Sequence, residues 1–451
     1  MKKALIYMFL LASTALTGYL FVGATQPSTP TAEYKQLDHV SPSVLGIDSL
    51  RLYQGIDAII QEAMDSMAFP GCQVLLARSG QVFFEKSYGY HTYAKKSAVL
   101  NSDIYDLASI TKVVGATLAL MKLYEEGKLD PDATLGFYFP YLAKTDKANL
   151  TLREILAHQA GLKPWIPYYK TAQKKNGRYK KKTVSFDSSY RYPFRLSDSA
   201  LFLYKDYEKK KIYKMIKKSE LSEEKKYVYS GLFFYLIPDL VERLSGMPLE
   251  QYLDQTYYQP MHASTLCFTP LKKFKREAIV PTEVDDYFRM DTLHGIVHDE
   301  GAAMMLGVSG NAGLFSNSMD LAKVFQMLLN DGSFGGVKYL QPATIKEFTK
   351  VQYPKNDNRR GMGFDKPLLE YDEQKSSVAK NASPNSYGHS GYTGTLVWAD
   401  PDAALLFVFL SNRVHPTRNN ATIYKLNIRP RIHNLVYDLL PSKDSLVQEL
   451  N

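Results

Sequence analysis

Three short stretches of this chain set nucleophilic or proton-carrying side chains at the edge of an apolar element. Ser109 and Lys112 stand three residues apart at the head of "SITKVVGATLALMKLYEE", a spacing that places both on one face of a helix. Val113, Val114, Ala116, Leu118, Leu120, Met121 and Leu123 follow, so the pair enters the interior with its helix. An ammonium withdrawn from water without a partner is expected to lose its proton more readily. A neutral amine beside a hydroxyl can then take the hydroxyl proton and make a nucleophile. The helix N-terminus adds free N–H groups suited to a developing oxyanion. Ser-x-x-Lys recurs at Ser222–Lys225, in a charged stretch, and at Ser377–Lys380, in a loop-like one. Only Ser109 opens a long apolar helix. Taken alone, even this motif is better explained by a Lys112 that snorkels to solvent and a Ser109 that caps the helix.

Two further segments change that balance. Tyr229-Ser230 stands directly before the apolar "GLFFYLIPDLVERLSG", and His389-Ser390-Gly391 follows Gly388 just before the strand-like "GTLVWADP". Glycines on a strand edge allow close approach by a substrate backbone. The chain order is therefore Ser-x-x-Lys, Tyr-Ser, His-Ser-Gly, which is far more specific than any one of its parts.

Positioning these groups falls to elements read from pattern. "CQVLLARSGQVFFEKSYGY" is two β-rich runs about Ser79-Gly80, and "GTLVWADPDAALLFVFLSN" repeats the form about Asp400-Pro401-Asp402, both hairpin signals. Helices are expected over Ser109–Glu126, Thr151–His158, Leu232–Leu244, Ser318–Leu329 and Pro342–Lys350. Strands near both ends and helices between them predict an α+β fold. Its antiparallel sheet is closed by distant segments, and a mostly helical lobe leaves a cleft beside it.

With 451 residues, 45% of them hydrophobic and 22% charged, the chain is long enough for one large core and is not a disordered polymer. The segment 1–24 has two lysines, an uncharged run and Val22-Gly23-Ala24, as a cleaved signal peptide or a retained membrane anchor would. Either predicts an exported protein, periplasmic or held at the outer face of the inner membrane. Residues 25–40 form a polar linker, 41–441 the folded domain and 442–451 a tail. Cys72 and Cys267 could pair in an oxidising compartment or remain buried thiols. Between 163 and 228 stand 19 Lys and Arg against 7 Asp and Glu, whereas the whole chain carries only +9. This Lys/Tyr-rich insertion is either a solvated surface or a contact for an anionic cell-envelope polymer. No nucleic-acid motif accompanies it, so nucleic acid is not an expected partner.

With these motifs in place, the sequence resembles the serine β-lactamase and penicillin-binding-protein superfamily. It is most similar to the class C-type serine hydrolases, including periplasmic esterases and penicillin-binding protein 4B-like members. "LREILAHQAGL", "YSGLFFYLIPDLVERLSG", "VHDEGAAMMLGVSGNAGLFS" and "FVFLSNRVHP" carry the resemblance beyond the motifs, over roughly Ser41 to Leu440. The resemblance implies that Ser109 becomes acylated, Lys112 activates it and Tyr229 passes protons to the leaving group. His389-Ser390-Gly391 would occupy the family's Lys-Thr-Gly strand, and the N–H groups of Ser109 and Tyr392 would form the oxyanion hole. Two departures matter. Gly231 stands where the family has Asn or Asp after Tyr-Ser, which weakens peptide and β-lactam readings more than ester hydrolysis. His389 in place of lysine would be cationic only below about pH 6.5 unless its surroundings shift it, so activity is expected to follow its titration. Asn311 stands where relatives often have His and receives no role.

Other candidates are weaker. "GHSGY" and "GVSGN" lack the last glycine of a nucleophile elbow. His298-Asp299-Glu300 reads as a hydrogen-bonded loop supporting the cleft rather than a metal site, and His158 as a helix C-cap. The expected protein is a serine hydrolase working without metal or cofactor. Its substrate would be a small ester or a D-amino-acid peptide related to peptidoglycan; β-lactam hydrolysis is the less favoured activity. The competing class is a catalytically weak envelope-binding protein that docks through its basic insertion.

Overall fold

The computed structural model describes residues 37–441. The expected leader at 1–24, residues 25–36 of the 25–40 linker and the 442–451 tail lie outside the described residues. Six strands form the main sheet: β1 (Asp38–His39), β2 (Gly71–Arg78), β3 (Gln81–Gly89), β4 (Tyr387–Ser390), β5 (Leu396–Asp400) and β6 (Leu405–Ser411). Their order is β1-β3-β2-β6-β5-β4, antiparallel except where β1 lies parallel to β3. Both expected hairpins are present. Ser79 and Gly80 turn the first with φ of 50° and 80°. The pairing of Leu75 with Val408 and of Val74 with Phe409 joins the two hairpins, so the sheet is closed by segments from opposite ends of the chain.

Helices cover both faces of this sheet. Val74, Leu76, Phe407 and Phe409 pack with α1 (Ser49–Asp65) and the C-terminal helix Ile428–Leu439. Leu75, Ala77, Leu406 and Val408 face the helical lobe. Strands covered on both faces read as continuous apolar runs rather than alternation, as "LLFVFLS" does. In α1, Leu52, Ile56, Ile60 and Ala63 recur at helical spacing and are buried, while the Asp48 side chain accepts the Arg51 N–H.

The helical lobe follows the expected pattern with altered ends. The Ser109 segment begins as a tight turn at Ala108–Ile110, widens into a π-type turn over Lys112–Thr117 and continues as α2 (Leu118–Glu125). Wide turns of this kind are frequent at functional sites. The Thr151 helix is α3 (Leu152–Leu156), held by reciprocal Thr151–Glu154 capping. The Leu232 stretch becomes a turn, Phe233–Leu236, and then α4 (Ile237–Ser245). The last two run over Ser318–Leu329 and Pro342–Thr349.

The basic segment 163–228 is folded into the body rather than hung from it. Leu196, Leu201, Leu203, Tyr207, Ile212 and Ile216 join the main core, while Lys170, Lys174, Lys180, Lys181, Lys182 and Lys211 are exposed. Cys72 and Cys267 are free and buried; the thiol alternative holds. No helix among the described residues is long and apolar enough to cross a membrane.

Candidate active site

Ser109 sits where three segments meet. Asp106 pairs with Phe315 across a short strand, and the Thr393 hydroxyl donates to the Asp106 carbonyl at 2.8 Å. The buried Asp106 carboxylate accepts the N–H of Ala108 at 2.8 Å and of His298 at 2.7 Å; burial raises its pKa despite these bonds. Ala108 is thereby held at φ 46°, a left-handed conformation that costs an L-residue about 1–2 kcal/mol. Strain beside a reactive residue is paid by the surrounding packing and fixes where the next side chain points. Gly391 closes the arrangement: a Cβ there would lie 2.1 Å from Thr395 Oγ1 and 2.5 Å from the Leu107 carbonyl.

Lys112 is 3% exposed. Its Nζ donates to Ser109 Oγ at 2.9 Å and to the Asn311 carbonyl at 3.0 Å, and among the described residues no carboxylate forms an ion pair with it. Snorkelling is therefore not what this lysine does. Asn311, which the sequence left without a role, holds the amine through its backbone. Its side chain donates to Tyr235 Oη at 3.1 Å, and Tyr235 donates to Asp299 at 3.0 Å. The Tyr229 ring completes the group, its centroid 5.3 Å from Lys112 Nζ.

Behind Tyr229 lies a cluster that sequence spacing did not reveal. His158 ends α3 in a left-handed conformation (φ 57°), as a C-capping residue would, but its ring also lies 4.4 Å from Tyr229. The Ser230 N–H donates to its Nδ1 at 3.2 Å, which leaves the proton on Nε2. Burial and the nearby cations Arg360 and Lys112 push its pKa well below the ordinary histidine value. His389, 6.0 Å from Tyr229 between ring centroids, is 3% exposed. Burial, then Arg360 and Lys112, lower its pKa to about 3. Its surroundings thus shift it below the ordinary value near 6.5, and it is not among the residues that line the cleft.

The cleft itself is a hollow of about 440 Å³ lined by Ser109, Lys112, Tyr229, Gly231, Asn311 and Tyr392 among others. Among the described residues, the N–H groups of Ser109 and Tyr392 have no protein acceptor. Arg413 Nε donates to the Tyr392 carbonyl at 2.9 Å and orients that peptide. Ser390 and Gly391 are not on the cleft wall. A Cβ at Gly388 would lie 2.1 Å from the Val397 carbonyl, so the packing of its own sheet already requires glycine there. His298, Asp299 and Glu300 do support the cleft. His298 Nε2 lies 2.9 Å from Glu283, Asp299 caps a short helix, and Glu300 accepts from Arg418 at 2.8 Å. Among the described residues no group of three or more His, Cys, Asp or Glu side chains could hold a metal.

Comparison with known proteins agrees with this geometry. The family model Beta-lactamase matches residues 56–428. The chain is 31% identical over 442 residues to the Escherichia coli (strain K12) protein named "Putative D-alanyl-D-alanine carboxypeptidase", covering 92% of each. It is also 31% identical over 410 residues to a protein of the same name from Salmonella schwarzengrund (strain CVM19633), covering 85% of this chain and 87% of that one. In fold it is similar to a penicillin-binding protein homologue from Caulobacter crescentus (TM-score 0.61, 17% identity, 86% of this chain and 98% of that one). It is likewise similar to EstCE1, a hydrolase with promiscuous acyltransferase activity (TM-score 0.57, 21% identity, 85% and 99%). The α+β architecture is thus the β-lactamase/transpeptidase-like fold, and the chain belongs to the Beta-lactamase family of serine hydrolases.

Proposed function

We propose that this protein is an exported serine hydrolase that forms an acyl-enzyme on Ser109 and acts on small esters or D-amino-acid-containing peptides. The observation that carries the reading is the buried Lys112 amine 2.9 Å from Ser109 Oγ, in a cleft it shares with Tyr229. Lys112 takes the Ser109 proton as Oγ bonds to the substrate carbonyl carbon. The resulting oxyanion sits between the N–H groups of Ser109 and Tyr392. The carbon–leaving-group bond then breaks, and Tyr229 passes a proton to the departing oxygen or nitrogen. Water, giving up a proton to the same groups, releases the acid and restores Ser109. The export reading rests on residues 1–24 and is tested by cell fractionation. For catalysis the test is turnover of p-nitrophenyl acetate and release of D-alanine from a D-Ala-D-Ala peptide. Ser109→Ala and Lys112→Met should abolish both; activity retained in Ser109→Ala would refute the assignment.

A specific observation also supports contact with an anionic envelope polymer. Lys170, Lys174, Lys180, Lys181, Lys182 and Lys211 line one shallow hollow of about 880 Å³, and among the described residues none of these six is in an ion pair with a carboxylate. Lys211 also lines an adjoining hollow with Lys214 and Lys218. A concave cationic surface suits a flexible chain of anionic groups.

A further inference from the structure

We infer that Arg360 supplies, from outside the three motifs, the fixed positive charge that orients Tyr229 for proton transfer, a part that histidine at position 389 does not play. The inference rests on the reading of Tyr229 as a proton carrier. Among the described residues, four side chains with titratable or charged groups face the Tyr229 ring: Lys112, His158, His389 and Arg360. Both histidines are held neutral by burial. Lys112 gives and takes a proton during the reaction. A guanidinium cannot be deprotonated in a protein, so Arg360 is the one member of the four whose charge is constant.

Its placement fits that part. Arg360 Cζ lies 5.2 Å from the Tyr229 ring centroid and 5.8 Å from that of Tyr227. Nε donates to Tyr227 Oη at 3.2 Å and lies 3.3 Å from the Asp365 carboxylate. That carboxylate is shared, because Arg359 donates to it through Nε at 2.9 Å and Nη2 at 3.2 Å. Two guanidinium groups on one carboxylate leave a net positive charge against the tyrosine. The backbone of Asp365 exchanges hydrogen bonds of 2.8 and 3.0 Å with Gly388, which ties the group to β4, the strand that carries His389. Arg360 Nη1 is buried and has no acceptor among the described residues. A purely structural arginine would be expected to use that donor.

The test measures p-nitrophenyl acetate turnover against pH in Arg360→Gln, in Arg360→Gln with His389→Lys, and in Tyr229→Phe, each checked for folding by thermal unfolding. Losing the charge should slow turnover about ten- to hundredfold and move the rising limb of the pH profile upward. Adding His389→Lys should restore much of the rate and return the limb. A folded Arg360→Gln with wild-type rate and profile overturns the inference, as does a loss that His389→Lys leaves untouched. Should Arg360→Gln not fold, His389→Lys alone decides. A gain under twofold means the charge is already supplied, and a gain of tenfold with a shifted limb means it was not. Wild-type turnover in Tyr229→Phe would instead remove the proton-carrier reading itself.

Discussion

Asparagine at position 231, one of the two residues the resemblance implies after Tyr-Ser, should change what the cleft prefers. Gly231 lies on the cleft wall, its N–H donates to the Pro164 carbonyl at 3.1 Å, and a Cβ there would meet nothing within 4 Å. The β-carbon of Gly231→Asn therefore displaces no neighbour. The new side chain offers one donor group and one acceptor to a substrate amide. At about 0.5–1.5 kcal/mol net per hydrogen bond, two bonds are worth about 1–3 kcal/mol. That is about five- to 150-fold in the acylation rate constant for a penicillin or a D-Ala-D-Ala peptide. An ester has no N–H to donate and should gain far less. The ratio of penicillin to p-nitrophenyl acetate acylation, followed by stopped-time intact mass, should rise at least about fivefold. The variant should also be slightly more stable, since the unfolded chain loses glycine's freedom. A folded Gly231→Asn whose ratio stays within twofold of wild type would refute the idea that amide recognition is lost at this position.

Three other outcomes follow from the same structure. His433 is buried, and burial lowers its pKa to about 3, against about 6.5 in an unfolded chain. Between those values the unfolded state binds more protons, so stability is complete above pH 6.5 and falls as pH drops toward 3, by up to about 1.4 kcal/mol per pH unit. Urea midpoints between pH 7 and 4.5 should show His433→Gln with a shallower decline than wild type; equal slopes would count against a buried neutral ring. Gly391→Ala, pressed 2.5 Å from the Leu107 carbonyl, should destabilise by about 1–3 kcal/mol and lower turnover by more than its stability loss explains. Its melting temperature and ester kinetics measure both, and unchanged kinetics would separate Gly391 from the Ser109 turn. Lys180, Lys181 and Lys182 changed together to Glu should cut retention on immobilised polyphosphate and flatten its salt dependence, with ester turnover unaffected. Unaltered retention would end the polyanion reading.

Much of this arrangement was legible because nearest neighbours encode it. Ser109 and Lys112 share a helix turn, Thr151 and Glu154 cap reciprocally, and the runs "CQVLLAR" and "LLFVFLS" can be little else than buried strands. The helix Ser49–Asp65, not among the expected helices, carries its signal in Asp48 and the Leu52, Ile56, Ile60 spacing. The helix Ile428–Leu439 was harder, because Arg429, Pro430 and His433 interrupt its apolar face yet are buried. What no local pattern reveals is which distant side chains converge. His158 and Arg360 reach Tyr229 from 71 and 131 residues away in sequence. Nor does a residue type disclose its burial. His389 looks like a titrating cation in sequence and is a neutral interior ring in the fold, since desolvation outweighs the intrinsic basicity of imidazole. Asn311 escaped for a related reason: it acts through its carbonyl, which every residue possesses.

The claim on which the rest depends is that Ser109 is the nucleophile. Intact mass after exposure to a fluorophosphonate, and separately to a penicillin, addresses it directly, with Ser109→Ala as the control. One fluorophosphonate adduct per chain in the native protein and none in Ser109→Ala is the expected result, and a lasting penicillin adduct would place the protein with the penicillin-binding branch. An unmodified native protein under both reagents, or an adduct that survives in Ser109→Ala, would contradict it.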